Sequence, residues 1–252
     1  MRLVVLMYHR IAPDIPRMRG DLAVTPDRFA RQMARLRQDG FTALRQDDVV
    51  AWLRGQRELP ARPVVVTFDD GYADNLIHAF PVLERLEIPA ITFLVTQRLG
   101  GQNDWDSGKL PTRQLMGASD VAAWAARGLE FGAHGRTHRS LVGLDAPTLR
   151  AEVDGSHDDL AKLLGRAPIA FAYPNGDVDV PAHEHVSRRF ALGYGAHEGA
   201  NWAETDPWEL QRTSVFGFYP TLEFRCQIRL GWRPGNRLRN AFVRLARPLQ
   251  FA

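Results

Sequence analysis

The sequence predicts an α/β fold with a mostly parallel sheet, and three observations carry that reading. Short apolar runs alternate with longer segments of helical periodicity over more than 200 residues. Polar clusters follow directly on four of the runs, at Tyr8-His9-Arg10, Asp69-Asp70, His134 to His138 and Tyr173-Pro174-Asn175. No internal repeat or low-complexity stretch interrupts the alternation. Strands separated by crossover helices imply parallel pairing. The regularity favours closure into a barrel, although an open doubly wound sheet would give a similar pattern.

The elements follow in order. Residues 3–8 form a continuous apolar run, read as a first buried strand, and 10–24 hold two prolines and a glycine, read as a loop. Thr25-Pro26 opens a helix with a cap and a proline in its first turn; Phe29, Met33 and Leu36 supply its apolar face until Gly40. A short strand over 41–44 and a helix over 47–53 precede the strand at 64–68. Residues 72–86 read as one helix with Leu76, Phe80 and Leu83 on one side, followed by a strand at 91–95. Residues 100–112 form a polar loop carrying Trp105. Ser119 is read as the cap of a helix reaching 126, and 129–133 as a strand leading to His134. The longest helix, 145–164, shows Leu149, Val153, Leu160 and Leu164 at helical spacing. Strands at 169–173, near 194 and at 210–215, with a helix over 181–192, complete the body.

Composition narrows the class. The chain has 252 residues, 45% hydrophobic and 24% charged, which is ordinary globular usage. Its single cysteine, Cys226, excludes an internal disulfide and a cysteine-rich zinc site. No run approaches the roughly 20 apolar residues of a membrane span. The apolar stretch at 3–7 is too short for a signal segment, so a cytoplasmic location is expected. The net charge of +3 hides an asymmetry: residues 224–252 carry seven arginines and no acidic residue, leaving −4 on the first 223. The reading is therefore a catalytic body, 1–223, and a basic tail, 224–252. Within the tail, 236–246 reads as a helix with Leu238, Phe242 and Leu245 on one side. It is either a helix docked on the body or an interfacial helix drawn to anionic lipid, which would make the protein peripheral at the inner membrane face. Nucleic acid is not expected, because the body is acidic and carries no recognised binding motif.

The chemistry converges on strand ends. The run from Pro63 to Phe68 delivers two adjacent carboxylates, Asp69 and Asp70, to the rim where α/β folds bind ligands. Neighbouring like charges raise one pKa unless a cation or proton intervenes. His134 and His138, spaced i and i+4 as on one helix face, offer imidazoles that with a carboxylate suit zinc and leave a position open for water. No glutamate follows His134, which excludes the His-Glu-x-x-His protease pattern.

Thr67-Phe-Asp-Asp-Gly71, His134-Gly-Arg-Thr-His138 and Ala172-Tyr-Pro-Asn-Gly176 resemble three signature motifs of the polysaccharide deacetylases, the carbohydrate esterase family 4 superfamily. The opening Leu6-Met-Tyr-His-Arg10 is similar to the branch that includes bacterial poly-N-acetylglucosamine deacetylases. The resemblance covers roughly residues 3–215. It implies a distorted (β/α) barrel and removal of N-acetyl groups from amino sugars. It implies a divalent metal, zinc first, on Asp70, His134 and His138, with Asp69 as base, His9 as acid and the Asn175 amide at the oxyanion. Tyr173, Pro174 and Trp105 are the implied substrate contacts, and Trp202 and Trp208 are further aromatics able to stack on a sugar. The arginine usual in the third motif is missing, since Ala172 stands there, and Arg212 in the late strand is the candidate to orient the base. Two other functions fit parts of the pattern. A magnesium-dependent phosphoryl hydrolase would use the carboxylates but leave both histidines idle; a non-catalytic carbohydrate-binding relic would keep the fold alone.

Overall fold

The structure is a computed structural model that describes residues 1–13, 22–106, 111–217 and 221–231. Its frame is a parallel sheet built from β1 (Val4–Tyr8), β4 (Thr42–Ala43), β5 (Pro63–Phe68), β6 (Ile91–Leu94), β7 (Glu130–Ala133), β8 (Ala170–Ala172), β9 (Leu192–Tyr194) and β10 (Thr213–Ser214). The strand order is β10-β1-β5-β6-β7-β8-β9, with β4 beside β5. β5 is the hub: β1 pairs along one side in full, while β4 takes the first half of the other side and β6 the second. A small parallel pair, β2 (Arg10–Ile11) with β3 (Ala23–Val24), stands beside it.

The sheet curls into a distorted barrel, and one short segment joins its two edges. Leu210 bridges Tyr194 of β9 and exchanges backbone bonds with Gly193 and Gly195. Three residues later Thr213 and Ser214 pair with Leu6 and Met7 of β1. Segment 210–214 therefore changes partner in mid-course, and Arg212 sits at the crossing.

Side chains alternate along each strand. Val4, Leu6 and Tyr8 face the outer helices, as do Val64, Val66 and Phe68. Leu3, Val5, Val65, Phe93, Ala170, Ala172, Tyr194 and Leu210 fill the barrel interior. The outer layer is α1 (Pro26–Gln38), α2 (Gln46–Leu53), α3 (Asp74–His78), α4 (Phe80–Arg85), α5 (Ala118–Ala126), α6 (Ala146–Leu164), α7 (Val180–Arg189) and α8 (Thr221–Leu230). Phe29 of α1 shows why its apolar face docks: it meets Tyr8 edge-on at 5.3 Å and Phe68 at 5.8 Å. The helix expected over 72–86 is two helices, broken at Ala79 just before Pro81, whose ring cannot continue the backbone hydrogen bonding. Gly117, not Ser119, caps α5, its N–H donating to Asp120 Oδ2 at 2.9 Å.

α8 is not foreseen in the sequence reading, and it crosses the expected division at 223/224. Its Phe224 and Ile228 are buried in the outer core, and Thr213 Oγ1 donates to Gly231 O. The chain thus remains part of the body as far as Gly231. The tail helix expected at 236–246 lies outside the described residues. No helix among the described residues is long and apolar enough to cross a membrane.

The interior is filled closely enough to exclude one methyl group. A Cβ on Gly132 of β7 would stand 2.7 Å from both Ala170 O and the Phe93 ring. Gly132→Ala should therefore lower stability in urea unfolding by about 1–3 kcal/mol, the usual cost of overpacking. An unchanged midpoint would show that the barrel yields at this layer.

Candidate active site

The interior rows of β1, β5 and β7, and that of the segment joining β9 to β1, lead into a single mouth. Met7 and His9 carry on the inward row of Leu3 and Val5, Thr67 and Asp69 that of Val65, His134 that of Gly132, and Arg212 that of Leu210. Met7, His9, Asp69, His134 and Arg212 line a cavity of about 300 Å³ together with Asp70, His138 and Asn175.

Arg212 and Asp69 form the innermost pair. Arg212 is 1% exposed and Asp69 3%. The guanidinium forks onto the carboxylate, Nη1 to Oδ1 at 2.6 Å and Nη2 to Oδ2 at 2.8 Å, in the bidentate geometry particular to arginine. Its Nε donates to Gly195 O at 2.7 Å and Nη1 to Thr67 Oγ1 at 3.3 Å, so the side chain cannot swing. Burial raises the Asp69 pKa, but the adjacent Arg212 guanidinium, together with His134 and His9, holds the carboxyl below its ordinary value. His9 Nε2 lies 4.0 Å from Asp69 Oδ2. Burial lowers the His9 pKa against the pull of both aspartates. Asn75, absent from the sequence reading and fully buried, fixes the His9 loop: its Nδ2 donates to His9 O at 2.8 Å, and Ile11 N–H donates to its Oδ1 at 2.9 Å.

Asp70, His134 and His138 meet on the other side of Asp69. Asp70 Oδ1 lies 3.4 Å from His134 Nε2 and 3.1 Å from His138 Nε2. The two histidines do not share a helix face; they lie on a loop, and their meeting depends on left-handed backbone. Asp70 (φ 70°), His138 (φ 66°) and Asn175 (φ 61°) are three of the four non-glycine residues with positive φ among the described residues. Such strain persists only where the surroundings over-determine it, and it gathers at functional sites.

The trio fits a cation. His134 Nδ1 lies 2.7 Å from Ala172 O, which accepts its N–H and leaves Nε2 with a lone pair toward Asp70. Asp70 Oδ1 is buried and makes no well-directed hydrogen bond. Three electron-pair donors, all within 4.8 Å of one another, thus converge on one point. Two imidazole nitrogens and one carboxylate oxygen are the donor set of an open zinc-type site. Burial disfavours a charge on His134, yet Asp70 and Asp69 raise its pKa all the same, so the field there calls for positive charge.

The remaining expected residues divide. Asn175 is exposed at the mouth and its backbone N–H has no partner among the described residues. Trp105 lines the cavity, but one face of its indole is taken: it stacks on the His138 ring at 4.4 Å and 18°. Tyr173 contributes to the cavity lining, but it is fully buried and its ring packs edge-on to Phe171 in the outer core; Pro174 is buried and does not line the cavity. The Tyr173 ring sits there because the strand parity that turns Ala170 and Ala172 inward turns Phe171 and Tyr173 outward. Trp202 and Trp208 also lie off the cavity, and Trp208 Nε1 donates to Phe190 O at 2.9 Å.

Comparison with known proteins adds an independent line. The polysaccharide deacetylase family matches residues 56–192, more than half of the chain. The poly-beta-1,6-N-acetyl-D-glucosamine N-deacetylase of Staphylococcus epidermidis is 28% identical over 202 residues, covering 77% of this chain and 68% of that protein. The Escherichia coli protein of the same name is 30% identical over 88 residues, which span 35% of this chain and only 13% of the larger relative. Among solved structures, IcaB from Ammonifex degensii superposes with a TM-score of 0.75 at 26% identity, covering 91% of this chain and 97% of that one. His9 and Arg212 fall outside the family span, so their place in the site rests on geometry; Asp69, Asp70, His134, His138 and Asn175 fall inside it. With the family matched over more than half of its length, a span that holds the aspartate pair and the histidine loop, this chain belongs to the polysaccharide deacetylase family.

Proposed function

We propose that this protein is a metal-dependent hydrolase that removes N-acetyl groups from an amino sugar within a saccharide. The observation that carries the reading is the convergence of Asp70, His134 and His138 beside a second carboxylate, Asp69, with its own buried counter-charge. Two adjacent aspartates are thereby given different work: one is shaped as a ligand and the other held as a base.

A divalent cation on Asp70, His134 and His138, zinc by the donor set, would polarise the acetyl carbonyl and acidify water. Asp69 accepts the proton of the attacking water, its free lone pairs aimed by the Arg212 fork. The Asn175 N–H, turned out by its left-handed backbone, donates to the developing oxyanion. His9 gives a proton to the departing amine, which otherwise leaves very poorly. Its lowered pKa makes the protonated form a stronger acid.

The two other functions are less well supported. Phosphoryl chemistry on magnesium leaves the histidines without a role, because that ion prefers oxygen ligands. A binding relic has no need of a buried arginine spent on one carboxylate. Acetate released from N-acetylated chitooligosaccharide or poly-N-acetylglucosamine, dependent on divalent metal, separates the three. Release of phosphate from a phosphoester, or sugar binding without turnover, would refute the proposal.

Two sets of variants test the division of labour. His134→Ala and His138→Ala should lose both bound metal and acetate release, and full activity of the metal-stripped protein would sink the mechanism. Asp69→Asn should keep the metal and lose at least about 100-fold in kcat, the lower range for a general base. Arg212→Gln should also keep the metal. Because Arg212 depresses the Asp69 pKa, its loss raises that pKa, and the acidic limb of kcat/KM should move to higher pH. An unmoved limb would mean that Asp69 is not the base.

We further propose a cytoplasmic protein in peripheral contact with anionic membrane through its basic tail. Seven arginines without an acidic residue after position 223 support that contact. The chain reaches Gly231 beside the N-terminal end of β1, where Arg2 donates to Arg229 O, opposite the mouth. Because α8 packs into the core, the informative truncation ends at Gly231. The full chain should float with anionic but not neutral vesicles at low salt, and the truncated chain with neither. Equal flotation of both would remove the tail from the interaction.

A further inference from the structure

We infer that α6 is the template on which the histidine loop is shaped, and that Glu152 is a positioning residue for the metal ligand His138. The inference rests on the metal reading above.

Loop 134–139 has no regular structure of its own, yet it must bring His138 Nε2 to within 3.1 Å of Asp70 Oδ1. What shapes it is one face of α6. Glu152 is 4% exposed and reaches into the loop from the helix. Its Oε2 accepts the backbone N–H groups of Arg136 at 2.8 Å and Thr137 at 3.0 Å, and its Oε1 accepts the Thr137 hydroxyl at 2.6 Å. Arg139 Nε stands 3.7 Å from the same Oε1. The carboxylate thus substitutes for the helical or sheet partners these amides lack, on the two residues immediately before His138. Gly135, at φ 72°, leaves room for it: a Cβ there would come within 3.1 Å of Glu152 Oε2.

Two further positions on the same helix face complete the seat. Seven residues on from Glu152, Asp159 takes the Arg136 guanidinium in a fork, Nε to Oδ2 at 2.9 Å and Nη2 to Oδ1 at 3.1 Å. Thr96 Oγ1, beyond the end of β6, also donates to Asp159 Oδ2, at 2.7 Å, and so joins helix, loop and sheet. Between the two acids lies Gly155, in mid-helix, where glycine is intrinsically unfavourable. Its presence has a steric reason: a Cβ would stand 2.5 Å from Arg136 Cδ, so the glycine is the groove in which that side chain crosses the helix. Glu152, Gly155 and Asp159 are spaced i, i+3 and i+7, the geometry of one helical stripe. Two acids and a missing side chain on that stripe are spent on four residues of loop, and the loop's product is the direction of His138.

The test is metal affinity, measured on the full chain stripped of metal and titrated with zinc against a chromophoric chelator. Thermal unfolding is followed alongside. Glu152→Ala should weaken zinc on the order of 10–100-fold, the range seen when groups that orient metal ligands are removed. Glu152→Gln, whose amide oxygen can still accept both backbone N–H groups, should restore most of that affinity. Gly155→Ala should weaken zinc as well, by displacing Arg136 while leaving the carboxylate in place. A role in stability alone would lower the melting temperature of these variants and leave their zinc affinity at the wild-type value; that result overturns the inference. Should Glu152→Ala fail to fold, Gly155→Ala decides by the same criterion. A wild-type chain that binds no divalent ion would overturn the metal reading and this inference together, whereas equal binding by wild type and variants overturns the inference alone.

Discussion

The bidentate pair between Arg212 and Asp69 ties the fold to the site more directly than any other contact. Arg212 belongs to the segment that joins β9 to β1, and Asp69 to the end of the hub strand β5. The barrel therefore closes on an ion pair located at the bottom of its own mouth. Removing one partner of such a pair leaves an uncompensated buried charge, typically at a cost of about 3–5 kcal/mol. Replacing a buried ion pair with well-packed apolar residues is often neutral for stability, but here the carboxylate would be lost from the cavity. Stability by itself does not account for an arginine there; a carboxylate held ionised and correctly aimed does.

A second constraint follows from the first. Asp69 has its counter-charge in Arg212, whereas the groups that face Asp70 are two imidazoles. The fold answers by turning Asp70 out of the strand register at φ 70° and presenting its Oδ1 to two imidazoles. Each device has a cost: a left-handed aspartate, a left-handed histidine, and a buried oxygen without a directed hydrogen bond. These costs fall together on residues that face one point in the cavity, which is the pattern of strain retained for function. The α6 stripe extends the same economy outward, since a loop holding a left-handed histidine needs partners from another element.

The cavity walls also explain why aromatic residues alone were a weak guide to substrate contacts. Trp105 is committed on one face to His138, so it buttresses the site as well as lining it. Tyr173 and Trp208 serve the packing of the outer layer. Polar groups of Asn175, Asn103 and Asp106 also line the cavity.

Much of this was legible in the chain. Alternating apolar runs and helical segments determined the α/β class, because burial on both faces of a parallel strand imposes a recognisable composition. The aspartate pair and the two histidines were identifiable as a metal-site set because few other arrangements make adjacent buried carboxylates tolerable. Strand parity was legible too: Leu210 and Arg212 differ by two residues, so an inward Leu210 already aims Arg212 at the mouth. Three things were decided only by tertiary structure. The pairing of Arg212 with Asp69 joins positions 143 residues apart, and only barrel closure sets their distance. The meeting of His134 and His138 on a left-handed loop, and not on a helix, depends on long-range bonds from α6 that no local spacing encodes. The turning of the Tyr173 ring into the outer core depends on which face of β8 turns inward, and a three-residue strand between two loops carries too short an alternation to reveal it.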